Sequence, residues 1–138
     1  MSTAANRINR DSELIGLIRE TTAVLDALLA EATVKVRERV SSKGQVDGAN
    51  FDREQRATHG LAWLATYVEA VRQLATYAER IGRLGKLSET EDLLVRIGLG
   101  EYLAQIFGGI PMSQGEILRL HTELEKTKCT VGQLTKSE

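Results

Sequence analysis

Two segments of about thirty residues each carry large apolar side chains at steps of three and four, and this confines the chain to packed helices. Between Ser12 and Val40 the series is Leu14, Leu17, Ile18, Thr21, Val24, Leu25, Leu28, Ala32 and Val36. Arg19, Asp26, Arg37 and Glu38 lie off that stripe, and Asp11 is placed to cap the helix. From Asp52, with Gln55 as a capping-box partner, the second series is Leu61, Leu64, Val68, Val71, Leu74, Ala75, Ala78 and Ile81. Gly85 is placed to end it. Helices of this length are roughly 45 Å long. The short loop between them, Gly44-Gln-Val-Asp-Gly48, favours an antiparallel pair.

Ser88-Glu-Thr-Glu91 is a capping box and predicts a third helix from about Glu89 to Phe107. Its apolar residues, including Leu93, Leu94, Val95, Ile97, Leu99, Tyr102, Leu103, Ile106 and Phe107, run almost around the axis. Such a helix is expected to be buried on more than one side. Gly108-Gly-Ile-Pro-Met112 then interrupts the pattern, and Ser113-Gln-Gly-Glu116 has the spacing of another capping box. A fourth helix is expected from about Gln114 to Lys126, presenting Ile117, Leu120 and Leu124. The expectation is an all-α fold, an antiparallel bundle of about four helices, two long and two shorter. Residues 1–10 are expected to form a flexible N-terminus, 11–126 the bundle and 127–138 a polar tail.

Composition excludes several function classes. Eighteen basic and 19 acidic residues leave a net charge of −1, with no electrostatic case for nucleic acid. The longest apolar stretch, Leu61 to Val68, is too short for a membrane span. Cys129 is the single cysteine and cannot form an internal disulfide, so a cytoplasmic location is expected.

The candidate chemistry is sparse. Gly98-Leu-Gly100 lacks the third glycine of a dinucleotide fingerprint, which Leu103 replaces, and no strand precedes it. Neither His59 nor His121 has a glutamate three residues earlier, as a di-iron bundle requires. Cys129 has no neighbour that would clearly activate its thiol. Glu101 is a carboxylate in an apolar helix, better explained by pairing or a rim position than by catalysis. Trp63, Tyr67, Tyr77 and Tyr102 are read as packing residues with polar handles rather than as a binding box. No catalytic, cofactor-binding or metal-binding residue is assigned.

Two strings add a functional expectation. His59-Gly-Leu-Ala-Trp-Leu-Ala-Thr-Tyr-Val-Glu69 and Gly100-Glu-Tyr-Leu-Ala-Gln-Ile-Phe-Gly-Gly-Ile-Pro-Met-Ser-Gln-Gly-Glu116 resemble the helical N-terminal extension of (2S)-methylsuccinyl-CoA dehydrogenases, within the flavin-dependent acyl-CoA dehydrogenase superfamily. The resemblance covers about Phe51 to Leu120. It implies an accessory module, with FAD bound only in an associated dehydrogenase core and none by this chain. The implied partner is that catalytic core or a second copy of the chain, and the candidate interface is Leu94, Tyr102, Ile106, Phe107, Ile110 and Met112. The alternative is a stand-alone helical scaffold or adaptor.

Overall fold

The computed structural model describes residues 4–120 and residue 122. Within them the protein is all-α, with four helices and two small hairpins. Helix α1 (Ala4–Val40) extends further toward the N-terminus than its sequence pattern indicated. Asp11, expected as its cap, lies inside it. Leu14, Ile18, Leu25, Ala32 and Val40 bury the stripe, whereas Leu17 and Val24 are left exposed.

The first loop is a tight hairpin of β1 (Ser41–Ser42) and β2 (Gln45–Val46). Lys43 and Gly44 both have positive φ, 53° and 80°, the geometry that matches the twist of two antiparallel strands. Asp47 Oδ1 then accepts from the Asn50 amide at 2.9 Å and caps the short α2 (Gly48–Arg53). The expected helix start at Asp52 therefore falls inside α2, and a break at Glu54 separates α2 from α3 (Gln55–Arg83). An ion pair between Arg39 and Glu54 joins the end of α1 to this break.

Helix α3 buries Leu64, Val68, Val71, Ala75, Ala78 and Ile81, all from the expected stripe, with Leu61 and Leu74 partly buried. It ends in a Schellman motif. Gly85 takes φ 65°, the Lys86 amide donates to the Ile81 carbonyl and the Gly85 amide to that of Gly82, each at 2.9 Å. Helix α4 (Glu89–Gly108) opens with the expected capping box. The Glu91 amide donates to Ser88 Oγ at 3.3 Å and the Ser88 amide to Glu91 Oε2 at 3.2 Å.

Pairings along the helices fix their directions. Arg19 meets Glu79 and Asp26 meets Arg72, so α1 and α3 are antiparallel. Tyr77 meets Glu91 and Tyr67 meets Gln105, so α3 and α4 are antiparallel too. Helix α3 is the central member, with a smaller contact between α1 and α4.

The expected fourth helix does not begin at Gln114. Residues 110–118 form a hairpin of β3 (Ile110–Ser113) and β4 (Glu116–Leu118). Gly109 at φ 134° ends α4 and turns the chain into extended backbone. Ile110 and Met112 then point inward and Pro111 and Ser113 outward, a period of two. The Ser113 hydroxyl donates to the Glu116 carboxylate at 3.2 Å instead of capping a helix. Leu118 packs so closely on α3 that a Cβ on Gly60 would come within 2.6 Å of it. Helical backbone is present at Leu120 and Thr122. Leu124, His121, Cys129 and the polar tail lie outside the described residues.

Candidate functional site

The α3–α4 layer holds the polar and aromatic groups that sequence singled out. His59, Trp63 and Tyr67 succeed one another at four-residue steps on α3. The Trp63 indole N–H donates to His59 Nε2 at 2.7 Å, with the two ring planes within 8° of parallel. Trp63 meets Tyr67 edge-on, and Tyr67 meets Tyr102 of α4 at a 5.3 Å centroid distance. The Tyr67 hydroxyl donates to Gln105 Oε1 at 2.6 Å and the Tyr77 hydroxyl to Glu91 Oε1 at 2.9 Å. Trp63, Tyr67 and Tyr77 pack with their polar ends hydrogen-bonded, and Tyr102 packs edge-on against Tyr67.

Several ionisable groups are engaged in structural pairs. Hydrogen bonds from the Ser88 backbone and the Tyr77 hydroxyl hold the Glu91 carboxyl below its ordinary range. Arg19 does the same for Glu79, and Gln73, with Arg72, for Glu69. Glu91 in turn raises the Tyr77 phenol. Asp92, the buried acid of α4 at 5% exposure, is not among the residues marked by the sequence pattern. Both its oxygens accept from Arg96 Nε, at 3.2 and 3.1 Å. The four-residue spacing of Asp92 and Arg96 was the signal available in the sequence.

A narrow cleft of about 20 Å³ lies between α1 and α3, lined by Ala32, Val36, Gly60, Leu61, Leu64, Leu118 and Leu120 together with Lys35 and Arg39. A flavin needs convergent donors for its ring edge and its pyrophosphate. An aliphatic lining does not fit that group. A second groove, bounded by Arg19, Asp26, Arg72 and Glu79, is crossed by the ion pairs of α1 and α3. Among the described residues no cluster of three or more metal-ligating side chains occurs. No helix there is long and apolar enough to cross a membrane.

The most unusual surface is on α4. Leu93, Leu94, Ile97 and Phe107 are 53%, 61%, 60% and 68% exposed. Burial of the helix on several sides, expected from its composition, does not occur. Val95, Leu99 and Ile106 face the core, and the opposite face is open. Of the six residues expected at an interface, Leu94 and Phe107 are on this open face and Tyr102 is half-buried against Tyr67. Ile106, Ile110 and Met112 are in the chain's own core, at 1%, 0% and 7% exposure. Leu93, Ile97, Gly100, Glu101 and Ala104 are also exposed on α4 and are not among those six.

Comparison with known proteins bears on this helical layer. The chain is 44% identical over 108 residues to (2S)-methylsuccinyl-CoA dehydrogenase of Cereibacter sphaeroides. The match takes in 78% of this chain but only 20% of that enzyme, so the chain is similar to one segment of it. No protein-family model matches the chain. Of 138 residues, 30 fall outside the match. However these divide between the two ends, residues 31–108 lie within it. The similarity thus includes the end of α1 and all of α2, α3 and α4. It reaches further toward the N-terminus than the two quoted strings indicated.

Proposed function

We propose that the chain is a non-catalytic helical module of a flavin-dependent acyl-CoA dehydrogenase, of the methylsuccinyl-CoA dehydrogenase type, which packs on the catalytic core or helps assemble it. The observation that carries this is the segment match: 44% identity confined to one-fifth of a much longer dehydrogenase. Supporting it, the matched segment forms antiparallel helices whose ionisable groups serve each other, and it presents an open apolar face. FAD and the acyl-CoA substrate belong to the associated core in this proposal, and the location is cytoplasmic.

The test replaces the matching segment of the Cereibacter sphaeroides enzyme with this chain. The hybrid is expected to retain flavin after gel filtration and to reduce an electron acceptor with methylsuccinyl-CoA. The chain by itself is expected to be colourless and inactive. Loss of flavin and activity in a hybrid whose helical portion is folded would refute the module role. Flavin retained by the chain alone would refute its non-catalytic character.

A further inference from the structure

A line of exposed and half-buried side chains on α1 leads to the cleft that receives Leu120. Leu17, Thr21, Val24 and Leu28 follow one another at steps of four, three and four, within about 60° of arc. They lie across the helix axis from Arg19 and Asp26, whose ion pairs reach α3. Leu17 and Val24 are 44% and 64% exposed, and Thr21 and Leu28 are half-buried. Lys35 and Arg39 stand about five full turns after Leu17 and Thr21, on the same line of the helix. They border the cleft in which Leu120 sits beside Leu61 and Leu64 of α3. The chain enters this cleft heading toward the exposed line. The Ile117 carbonyl accepts from Arg56 at 3.1 Å, Leu118 covers Gly60, and Leu120 shares the cleft with Leu61, Leu64 and Ala32. Its path therefore follows α3 toward the C-terminus of that helix, and the antiparallel α1 toward its N-terminus. The Thr122 amide donates to the Arg119 carbonyl at 3.1 Å, and the backbone is helical at Leu120 and Thr122, so a helical turn has begun.

We propose that residues 120–134 form a further helix that lies along this line, antiparallel to α1, and closes the bundle. The sequence carries the matching pattern. Leu120, Leu124, Thr127, Val131 and Leu134 follow at steps of four, three, four and three, a stripe about 80° wide, and the positions between them are polar or small. The lengths agree as well. A helix rises about 21 Å from Leu120 to Leu134, and α1 spans about 22 Å from Ala32 back to Leu17. With Leu120 level with Ala32, Leu124 falls beside Leu28, Thr127 beside Val24, Val131 beside Thr21 and Leu134 beside Leu17, each to within one residue. Every member of one series then meets a member of the other. A segment already tethered at Leu120 also reaches the line without the translational cost that a separate partner carries. The same segment is a poor helix by itself. Gly132 costs about 1 kcal/mol relative to Ala, Thr127, Thr130 and Val131 are weak formers, and helices of about fifteen residues are marginal in water. Its helix therefore depends on the contact with α1, and runs past Lys126, where sequence pattern placed the start of a tail. The contact concerns the chain's own packing and does not depend on the dehydrogenase reading.

The experiment is cysteine cross-linking in the full chain carrying Cys129→Ser. Val24→Cys combined with Thr127→Cys should oxidise to a disulfide within one chain, at least about tenfold faster than Ala23→Cys combined with Thr127→Cys, because a disulfide needs Cα atoms within about 7 Å. Ala23 is the adjacent residue and faces the groove beside Arg72 and Thr76. Both α1 positions are exposed, so neither change disturbs the core. Hydrogen exchange gives a second reading. In the Cys129→Ser chain the amides of residues 124–134 should exchange at least about tenfold more slowly than in a free peptide of that sequence. Val24→Asp, at a position 64% exposed, should abolish this protection while the amides of α3 and α4 keep theirs. Equal rates for the two cysteine pairs, disulfides formed only between chains, or amides that exchange as in the free peptide overturn the proposal. So does protection that Val24→Asp leaves unchanged. No dehydrogenase is present in these measurements, so their failure leaves the hybrid-enzyme test standing.

Discussion

Leu93 and Leu99 lie six residues apart on α4, and the structure assigns them opposite environments. Leu99 is 4% exposed within the core cluster, whereas Leu93 is 53% exposed. Replacing either with Ala removes the same atoms. At Leu99 the loss combines the transfer energy of a buried side chain with the cavity left behind, and Leu→Ala changes of this kind cost about 2–5 kcal/mol. At Leu93 about half the surface is already in water and no closed cavity forms. Scaling the roughly 2 kcal/mol of a full transfer by that fraction, and allowing for the retained Cβ, leaves about 0.5–1 kcal/mol. The gap of about 2 kcal/mol corresponds to about 1 M in urea midpoint for a domain of this size. The assay is urea unfolding followed by far-ultraviolet circular dichroism, at about 1 µM protein so that any copy-to-copy contact with a micromolar constant is dissociated. Losses that agree within about 0.5 kcal/mol, or a larger loss at Leu93, would show that α4 presents a different face to α3.

Three further outcomes follow from particular contacts. Gly109→Ala forces a side chain into φ 134° and against Ile117, and should cost about 1–3 kcal/mol, seen as a lower melting temperature; an unchanged value would contradict the turn between α4 and β3. Arg96→Ala leaves Asp92 buried without its charged partner and should destabilise by about 1–3 kcal/mol, whereas Arg96→Lys should recover part of the loss in the same thermal scan. Glu91, Glu79 and Glu69 all have carboxyl groups held below their ordinary value of 4.5, so their contribution to stability is complete above that value. It is lost as pH falls through their lower folded values. Melting temperature should therefore drop below about pH 4.5, and Tyr77→Phe, which removes a hydrogen bond to Glu91, should shrink that drop.

The identity of the helices was legible in the sequence because it follows from local pattern. The α3 stripe from Leu64 to Ile81, the capping box at Ser88 and Glu91, and the glycine stop at Gly85 all appear where the residues placed them. Each depends on neighbours within a few positions. The open face of α4 could not be read in that way. A helix that is apolar around its axis states only that its residues avoid water. Which half finds a partner depends on where α3 and α1 lie.

The two Ser-x-x-Glu patterns mark the division most clearly. Ser88 and Glu91 form a capping box, while Ser113 and Glu116 close a hairpin. Their local spacing is identical. At Ser113, Gly109 has already turned the chain into extended form, and Ile110, Met112 and Leu118 gain burial in the core, with Leu118 seated over Gly60, more than fifty residues away in sequence. Burial of a large side chain is worth about 1.5–3 kcal/mol, and a helix cap typically about 1 kcal/mol. Sequence alone determined that this chain is helical and which stripe of α3 is buried, though not where the long helices begin. Tertiary packing decided the hairpin that follows α4, because the apolar area gained at distance exceeds what a local cap supplies.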